Sequence, residues 1–318
     1  MGNNRGNRFS DQHTSLRPSS KAYWDFDWED MGTKDTPANI DYVLNFTGFE
    51  KITYIGHSEG TTQIMSGASL IPEYYKAKMN ICIFLAPPAS MKNNSVLLFE
   101  LLALPVNRAM VTAMIETIHL YNILPYNFAT TGVAVLFCNL FNGSLCDLVL
   151  ALVMDTDPTI DNTDRYDMYM SNEPSGAGYR NIIHYAQLID YNVETFKRYD
   201  WGKRENQKRY GSDSPPDYNL KALDFPIAMF GGSQDKMADP KDVEWTYNQL
   251  KDKVIFYHQY YLGHMSFAIA KSMDYFLVDV MAIVNHYNGM CDESTLNSNY
   301  QPGNVECMQK LGVEPFLY

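Results

Sequence analysis

Ile52-Thr53-Tyr54-Ile55-Gly56-His57-Ser58-Glu59-Gly60-Thr61-Thr62 is the stretch that decides the fold. A β-branched apolar run stops at a glycine, a serine stands at the centre of Gly-x-Ser-x-Gly, and a helix-capable segment, Thr61 to Leu70, follows at once. This is the pattern of a nucleophile elbow, where a strand turns sharply into a helix and presents a serine hydroxyl at the end of a sheet. Both glycines are expected to be needed because the turn leaves no room for side chains beside the serine. The five-residue pattern alone arises by chance in roughly one chain in ten of this length. The strand before it, the helix after it, and an acid and a histidine downstream raise its weight.

The 318 residues suffice for one large α/β domain with an insertion, or for two domains. A hydrophobic content of 46% and an aromatic content of 14% place the chain among well-packed globular proteins. A net charge of -12 argues against a nucleic-acid partner, which would want a basic face. The five cysteines form no dense disulfide framework. Cys82, inside Ile81-Cys82-Ile83-Phe84-Leu85, reads as a buried strand thiol. Cys138 and Cys146 are close enough to clip a short loop, and Cys291 and Cys307 could do the same in the tail. Sequons at Asn45, Asn93 and Asn142, candidate glycosylation sites, lean with these pairs towards a lumenal or secreted protein. The polar start, Met1 to Arg8, shows no signal peptide and leans the other way. No run of 18 or more clean apolar residues predicts a membrane span.

Along the chain, Tyr23 to Trp28 reads as a loop or short strand that packs its rings. Thr36 is expected to cap a helix that has Pro37 at its first position and ends at Gly48. The elbow strand and its helix follow, then a buried strand over Asn80 to Ala86, which together make the β-α-β unit of a parallel sheet. From about Ser90 the strand signals give way to helical stretches: Val96 to Leu104, Met110 to Tyr121, Val133 to Phe141, Leu145 to Met154 and Tyr179 to Tyr191. Strands return at Phe225 to Phe230 and Val254 to His258, with a helix over Pro240 to Lys251 between them and another from Met265 towards Val284. A helical insertion between strands of an α/β sheet would lie over the strand ends where ligands bind.

Two segments of the last part complete the chemistry. Phe230-Gly231-Gly232-Ser233-Gln234-Asp235 leaves a strand and ends on an acid, and Tyr261-Leu262-Gly263-His264 leaves the final strand and ends on a histidine. The order Ser58, Asp235, His264 is that of α/β-hydrolases. His264 would take the serine proton and Asp235 would orient the imidazole. Asp239, just before Pro240, reads as a helix cap rather than a rival acid, and His57 as a packing neighbour rather than a base.

The chain resembles the acid lipase family of α/β-hydrolases. The matching segments are Gly2 to Asn7, Trp24 to Met31, Asp35 to Ala38, Tyr54 to Thr62, Leu85-Ala86-Pro87, Tyr199-Asp200-Trp201-Gly202 and Met237-Ala238-Asp239-Pro240, spread from residue 2 to about residue 288. The resemblance implies an α/β-hydrolase fold with a mostly parallel sheet and a helical cap. Residues 1–89 and 222–288 would form the core, 90–221 the cap and lid, and 289–318 a tail. It implies Ser58, Asp235 and His264 as the triad, the Glu59 N–H as an oxyanion donor, and Cys138–Cys146 as a cap disulfide.

Two departures from the family pattern matter. The segment that carries the family's other oxyanion donor and several strands is not found ahead of Gly2, so the core is expected to be N-terminally incomplete. A sequence truncated at its start is the favoured account; a partner chain completing the sheet and a degenerate, non-catalytic lipid-binding member are the alternatives. Glu59 stands where the family usually has Gln. Its carboxylate is expected either near the developing oxyanion or out in solvent. The implied activity is hydrolysis of lipid carboxylic esters, triacylglycerols or steryl esters, at a lipid–water interface through an acyl-enzyme on Ser58. No metal or organic cofactor is implied.

Overall fold

A computed structural model describes residues 1–123, 125–126, 132, 154–171 and 173–289. The expected helices over Val133 to Phe141 and Leu145 to Met154, the cysteine pairs Cys138/Cys146 and Cys291/Cys307, and Asn142 therefore lie wholly or almost wholly outside the described residues.

The chain opens by folding back on its first helices. The Arg5 guanidinium and main-chain N–H both donate to the Asp35 carboxylate, at 2.8 and 2.9 Å. Gly6 holds φ +85°, and a side chain there would strike Trp24. Tyr23 and Trp24 sit in a 3-10 turn, Lys21–Trp24, rather than in a strand, and with Phe26 and Trp28 their rings are buried as expected. A helical turn, Trp28–Asp30, a π-helical turn, Met31–Asp35, and helix α1, Thr36–Thr47, then run on without a break. Thr36 does not cap this run. Asp27, nine residues earlier, caps it reciprocally with Asp30, and Thr36 is buried inside it, donating to Gln63 Oε1. Gly48 ends α1 in the left-handed conformation.

Strand β1, Ile52–His57, leads into helix α2, Glu59–Leu70; a short α3, Pro72–Lys78, returns to β2, Met79–Leu85. Helices α4, Leu97–Ala103, and α5, Pro105–Ile118, form a pair bent by 97°. A two-residue antiparallel pairing, Asn122–Ile123 with Ala177–Gly178, precedes α6, Tyr179–Asp190. After α7, Lys203–Tyr210, the sheet resumes with β3, Ile227–Gly232, α8, Pro240–Leu250, and β4, Val254–Tyr260. The strands lie in the order β1-β2-β3-β4 and every pairing is parallel. All four strands therefore end on the same side of the sheet.

The two middle strands are buried. Ile81, Cys82, Ile83 and Phe84 of β2 and Ile227 to Phe230 of β3 have no exposed surface, as the continuous apolar runs require. Among the described residues β1 pairs on one side only, and its Ile55 is 41% exposed. The long helix expected from Met265 is broken into α9, Ser266–Ile269, a π-helical turn, Tyr275–Val280, and α10, Met281–Tyr287. The break has a tertiary cause: Ala270 pairs with Asp161 across an antiparallel bridge, and Lys271 N–H donates to the Ile160 carbonyl. Backbone pairing from a distant segment outweighs local helix preference there.

Helix α2 meets the π-helical turn at backbone contact. A Cβ on Gly67 would stand 2.3 Å from the Gly32 carbonyl oxygen, and one on Gly32 would stand 2.1 Å from the Gln63 carbonyl oxygen. Gly67→Ala is expected to lower stability by about 1–3 kcal/mol or more through overpacking, seen as a lower urea midpoint at unchanged slope. Gly60→Ala, where a Cβ would meet only the Tyr54 hydroxyl at 3.5 Å, should leave the midpoint nearly unmoved. Equal midpoints for the two variants would contradict this packing.

Candidate active site

The turn between β1 and α2 forces an unusual backbone on Ser58, φ +52° and ψ -122°, which non-glycine residues adopt only when the surroundings fix it. The fixing contacts are on both sides. Ser58 N–H donates to the Leu85 carbonyl at the end of β2, and the Ser58 carbonyl accepts from the Thr61 N–H and hydroxyl. Gly56 is required, because a Cβ there would stand 2.9 Å from the Gly60 carbonyl carbon. Gly60 has room for one, so only the first of the two glycines is demanded by sterics.

The structure brings Ser58, His264 and Asp235 together. His264 Nε2 lies 2.7 Å from Ser58 Oγ, and its Nδ1 lies 2.8 Å from Asp235 Oδ2. The carboxylate can only accept, so Nδ1 carries the proton and Nε2 is left to accept from the serine hydroxyl. Asp235 is itself held by the Met237 and Ala238 N–H groups, both donating to Oδ1 at 2.8 Å. Burial works against the His264 imidazolium, but the charge and hydrogen bond of Asp235, helped by the charge of Asp155, leave its pKa raised. Asp239 accepts from the Lys241 N–H and caps α8, outside this relay.

His57 does more than pack. Its Nε2 donates to the His264 carbonyl at 2.8 Å, and burial pushes its pKa down to about 3, so it stays neutral and keeps that tautomer. Asp155 is a second residue not anticipated. It is fully buried, and its Oδ1 accepts the His264 N–H. Nothing in its neighbourhood, Met154-Asp155-Thr156, would single it out, because its importance comes from a contact 109 residues away.

Glu59 points neither to open solvent nor freely at the serine. Asn181 on α6 donates to both of its oxygens, at 3.1 and 3.0 Å, and Gln63, one turn along α2, donates to Oε1 at 3.3 Å. Burial, with the nearby Asp27 charge, still pushes its carboxyl up to about 7. Asp27 is likewise raised, to about 6, by burial, despite the Arg180 guanidinium beside it. Arg180 also pairs with Asp25 and Asp30. A polar cavity of about 410 Å³ opens beside this ion-pair network, lined by Asp27, Arg180, Arg198 and Trp201 among others, and it includes none of Ser58, Asp235 and His264.

Of the three sequons, Asn45 is exposed on α1, whereas the Asn93 amide donates to the buried carboxylate of Asp242 at 2.9 Å. Among the described residues no group of histidine, cysteine and carboxylate side chains could hold a metal ion.

No family model matches the chain. It is 31% identical to human lipase member K, over 85% of this chain and 66% of that protein. It is 31% identical to human gastric triacylglycerol lipase over 84% of this chain and 66% of that one. It is 30% identical to lipase lipl-3 of Caenorhabditis elegans, over 91% of this chain and 72% of that one. The chain belongs to the acid lipase family of α/β-hydrolases. It spans about two thirds of the length of these curated relatives.

The raised carboxyl of Glu59 has a consequence for stability. A group that holds its proton more tightly when folded stabilises the native state at low pH and loses that contribution as pH rises. Here the window runs from the ordinary carboxylate value, near 4.5, to about 7. Glu59→Gln keeps an acceptor for Asn181 but cannot ionise. Its stability relative to the parent protein should therefore rise between about pH 4.5 and pH 8, as urea denaturation at both values would show. A difference that does not change with pH would mean that Glu59 titrates as an ordinary surface carboxylate.

Proposed function

We propose that this acid lipase hydrolyses carboxylic esters of lipids through an acyl-enzyme on Ser58, with His264 as general base and acid and Asp235 as its orienting partner. The observation that carries this reading is the unbroken relay from Ser58 Oγ to His264 Nε2 and from His264 Nδ1 to Asp235, at 2.7 and 2.8 Å. As Oγ attacks the ester carbonyl, its proton passes to Nε2, and the imidazolium is stabilised by Asp235. The carbonyl electrons move onto oxygen. The Glu59 N–H, at the start of the twelve-residue helix α2, is read as the donor to that charge. Collapse of the intermediate breaks the bond to the alcohol, which takes the proton from Nε2 and leaves. A water molecule, deprotonated by the same nitrogen, then releases the carboxylic acid and restores the serine.

Lipid esters are favoured as substrates by the relatives' names and by an apolar face on the α4–α5 pair. Leu97, Leu98, Leu101, Met110, Met114 and Ile118 are all more than half or about half exposed there. Among the described residues no single helix is long and apolar enough to cross a membrane. Residues 90–221 are read as the cap over the sheet's strand ends. A secreted or lysosomal location, with a glycan on exposed Asn45, completes the reading.

Ser58→Ala should abolish both p-nitrophenyl ester hydrolysis and labelling by a fluorophosphonate, with the labelled peptide of the parent protein containing Ser58. Undiminished labelling of the alanine variant would remove Ser58 from the mechanism.

Glu59 offers a second test. Its ionised carboxylate, next to the peptide group that would receive the oxyanion, opposes the charge that develops in the transition state, whereas the protonated form does not. With its carboxyl raised to about 7, the opposition sets in around neutral pH. Glu59→Gln is expected to raise kcat/KM at about pH 7–8 and to change it little near pH 5. Superimposable pH–rate profiles would show that the carboxylate is too well tied to Asn181 and Gln63 to be felt at Ser58.

A further inference from the structure

Residues 154–162 are tied to both loops that carry the proposed acid and base. Lys236 N–H donates to the Met154 carbonyl and Thr156 N–H to the Gln234 carbonyl, so Asp155 and Asp235 face each other across an antiparallel bridge. On the histidine side, the Tyr261 hydroxyl donates to Asp157 and the Ser266 hydroxyl to Asp161, at 2.8 and 2.6 Å. Asn162 N–H donates to the Ile269 carbonyl and Lys271 N–H to the Ile160 carbonyl. The strap thus grips the chain both before and after His264.

Asp155 is at its centre. The side chain is fully buried, Oδ1 accepts the His264 N–H, and Oδ2 has no hydrogen-bond partner among the described residues. Gly263 makes the approach feasible, because a Cβ there would stand 2.3 Å from Asp155 Cγ. A buried, half-satisfied carboxyl is destabilising, and packing alone gives no reason for one at this point.

We propose that Asp155 is a positioning residue for His264, which holds the imidazole against Ser58 by fixing the histidine's main chain from the strap. The inference rests on the reading of Ser58, His264 and Asp235 as a hydrolytic triad. Asp235 takes the ring at Nδ1, His57 takes the carbonyl, and Asp155 takes the N–H, so His264 is anchored on both sides of its Cα. A displacement on the order of 1 Å at such a point is enough to lower a rate by about 100-fold.

The groups facing Asp155 are Asp161, Asp235 and His264. Burial first, then the charges of Asp161 and Asp235, push its carboxyl up to about 7. The protonated acid still offers a carbonyl oxygen to the His264 N–H, so the contact holds on both sides of that pH. Only the ionised form adds its charge to that of Asp235 in favouring the imidazolium. Asp155→Asn therefore imitates the acid form, keeping the acceptor and removing the charge, whereas Asp155→Ala removes both.

The test compares p-nitrophenyl butyrate hydrolysis by the parent protein and both variants between about pH 4 and pH 9. Active sites are counted by labelling with a fluorophosphonate to completion. Asp155→Ala should lose about 10- to 100-fold in kcat per labelled site with KM little changed. Asp155→Asn should keep kcat within a few-fold and move the acid limb of the profile to lower pH, because a charge that raised the histidine pKa is gone. A purely structural residue would lower the number of labelled sites and leave kcat per site and the acid limb where they were; that result overturns the proposal. If the alanine variant does not fold, Asp155→Ser, which stays polar but is too short to reach the His264 N–H, takes its place, and an unchanged kcat per labelled site in it overturns the proposal. Failure of the triad reading is distinguishable, since Ser58→Ala would then still be labelled, or the parent protein not at all.

Discussion

The site depends on one constraint, the parallel pairing that makes four strands stop on the same side of one sheet. Ser58 follows β1, Asp235 follows β3 and His264 follows β4. Side chains 206 residues apart meet at hydrogen-bond distance only because the ladders β1-β2-β3-β4 fix where each loop begins. The central pair supplies the rigidity: β2 and β3 are buried on both faces, and the Leu85 carbonyl at the end of β2 holds the Ser58 N–H. The strained backbone of Ser58 persists because those neighbours over-determine it.

Around that frame the chain places a set of buried carboxyl groups whose charges are partly suppressed. Asp27, Glu59 and Asp155 all titrate well above the ordinary carboxylate range, while His57 and His184 are driven down to about 3. Burial is the leading cause in each case, so the region favours neutral forms of both kinds of group. His264 is treated differently: the charge and hydrogen bond of Asp235, whose Oδ1 accepts from the Met237 and Ala238 N–H groups, favour its cation against burial.

The histidine loop is held by more than the contacts of His264 with Ser58 and Asp235. A strap of 154–162, far in sequence from the loops of Asp235 and His264, pairs with each of them and breaks the helix that local preference would have extended through residue 270. The helix break and the grip on His264 have the same origin: backbone donors and acceptors in the histidine loop find partners on the strap instead of along their own helix.

The sequence by itself determined the elbow, the parallel sheet and the order of serine, acid and histidine, because these are written in local terms. A β-branched run, a glycine without room for a side chain and a following helix need only the eleven adjacent residues 52–62. Asp239 was equally legible as a cap, since Pro240 marks a first helical position. Tertiary structure alone decided the rest. Thr36 looked like a helix start because Pro37 follows it, but the helical run began at the Asp27–Asp30 box and carried Thr36 into the core. Glu59 could not be placed from its neighbours in sequence, since Asn181 lies on another helix. Asp155 carried no local signal at all, because a carboxylate that accepts a main-chain N–H 109 residues away is defined by the fold and not by any motif.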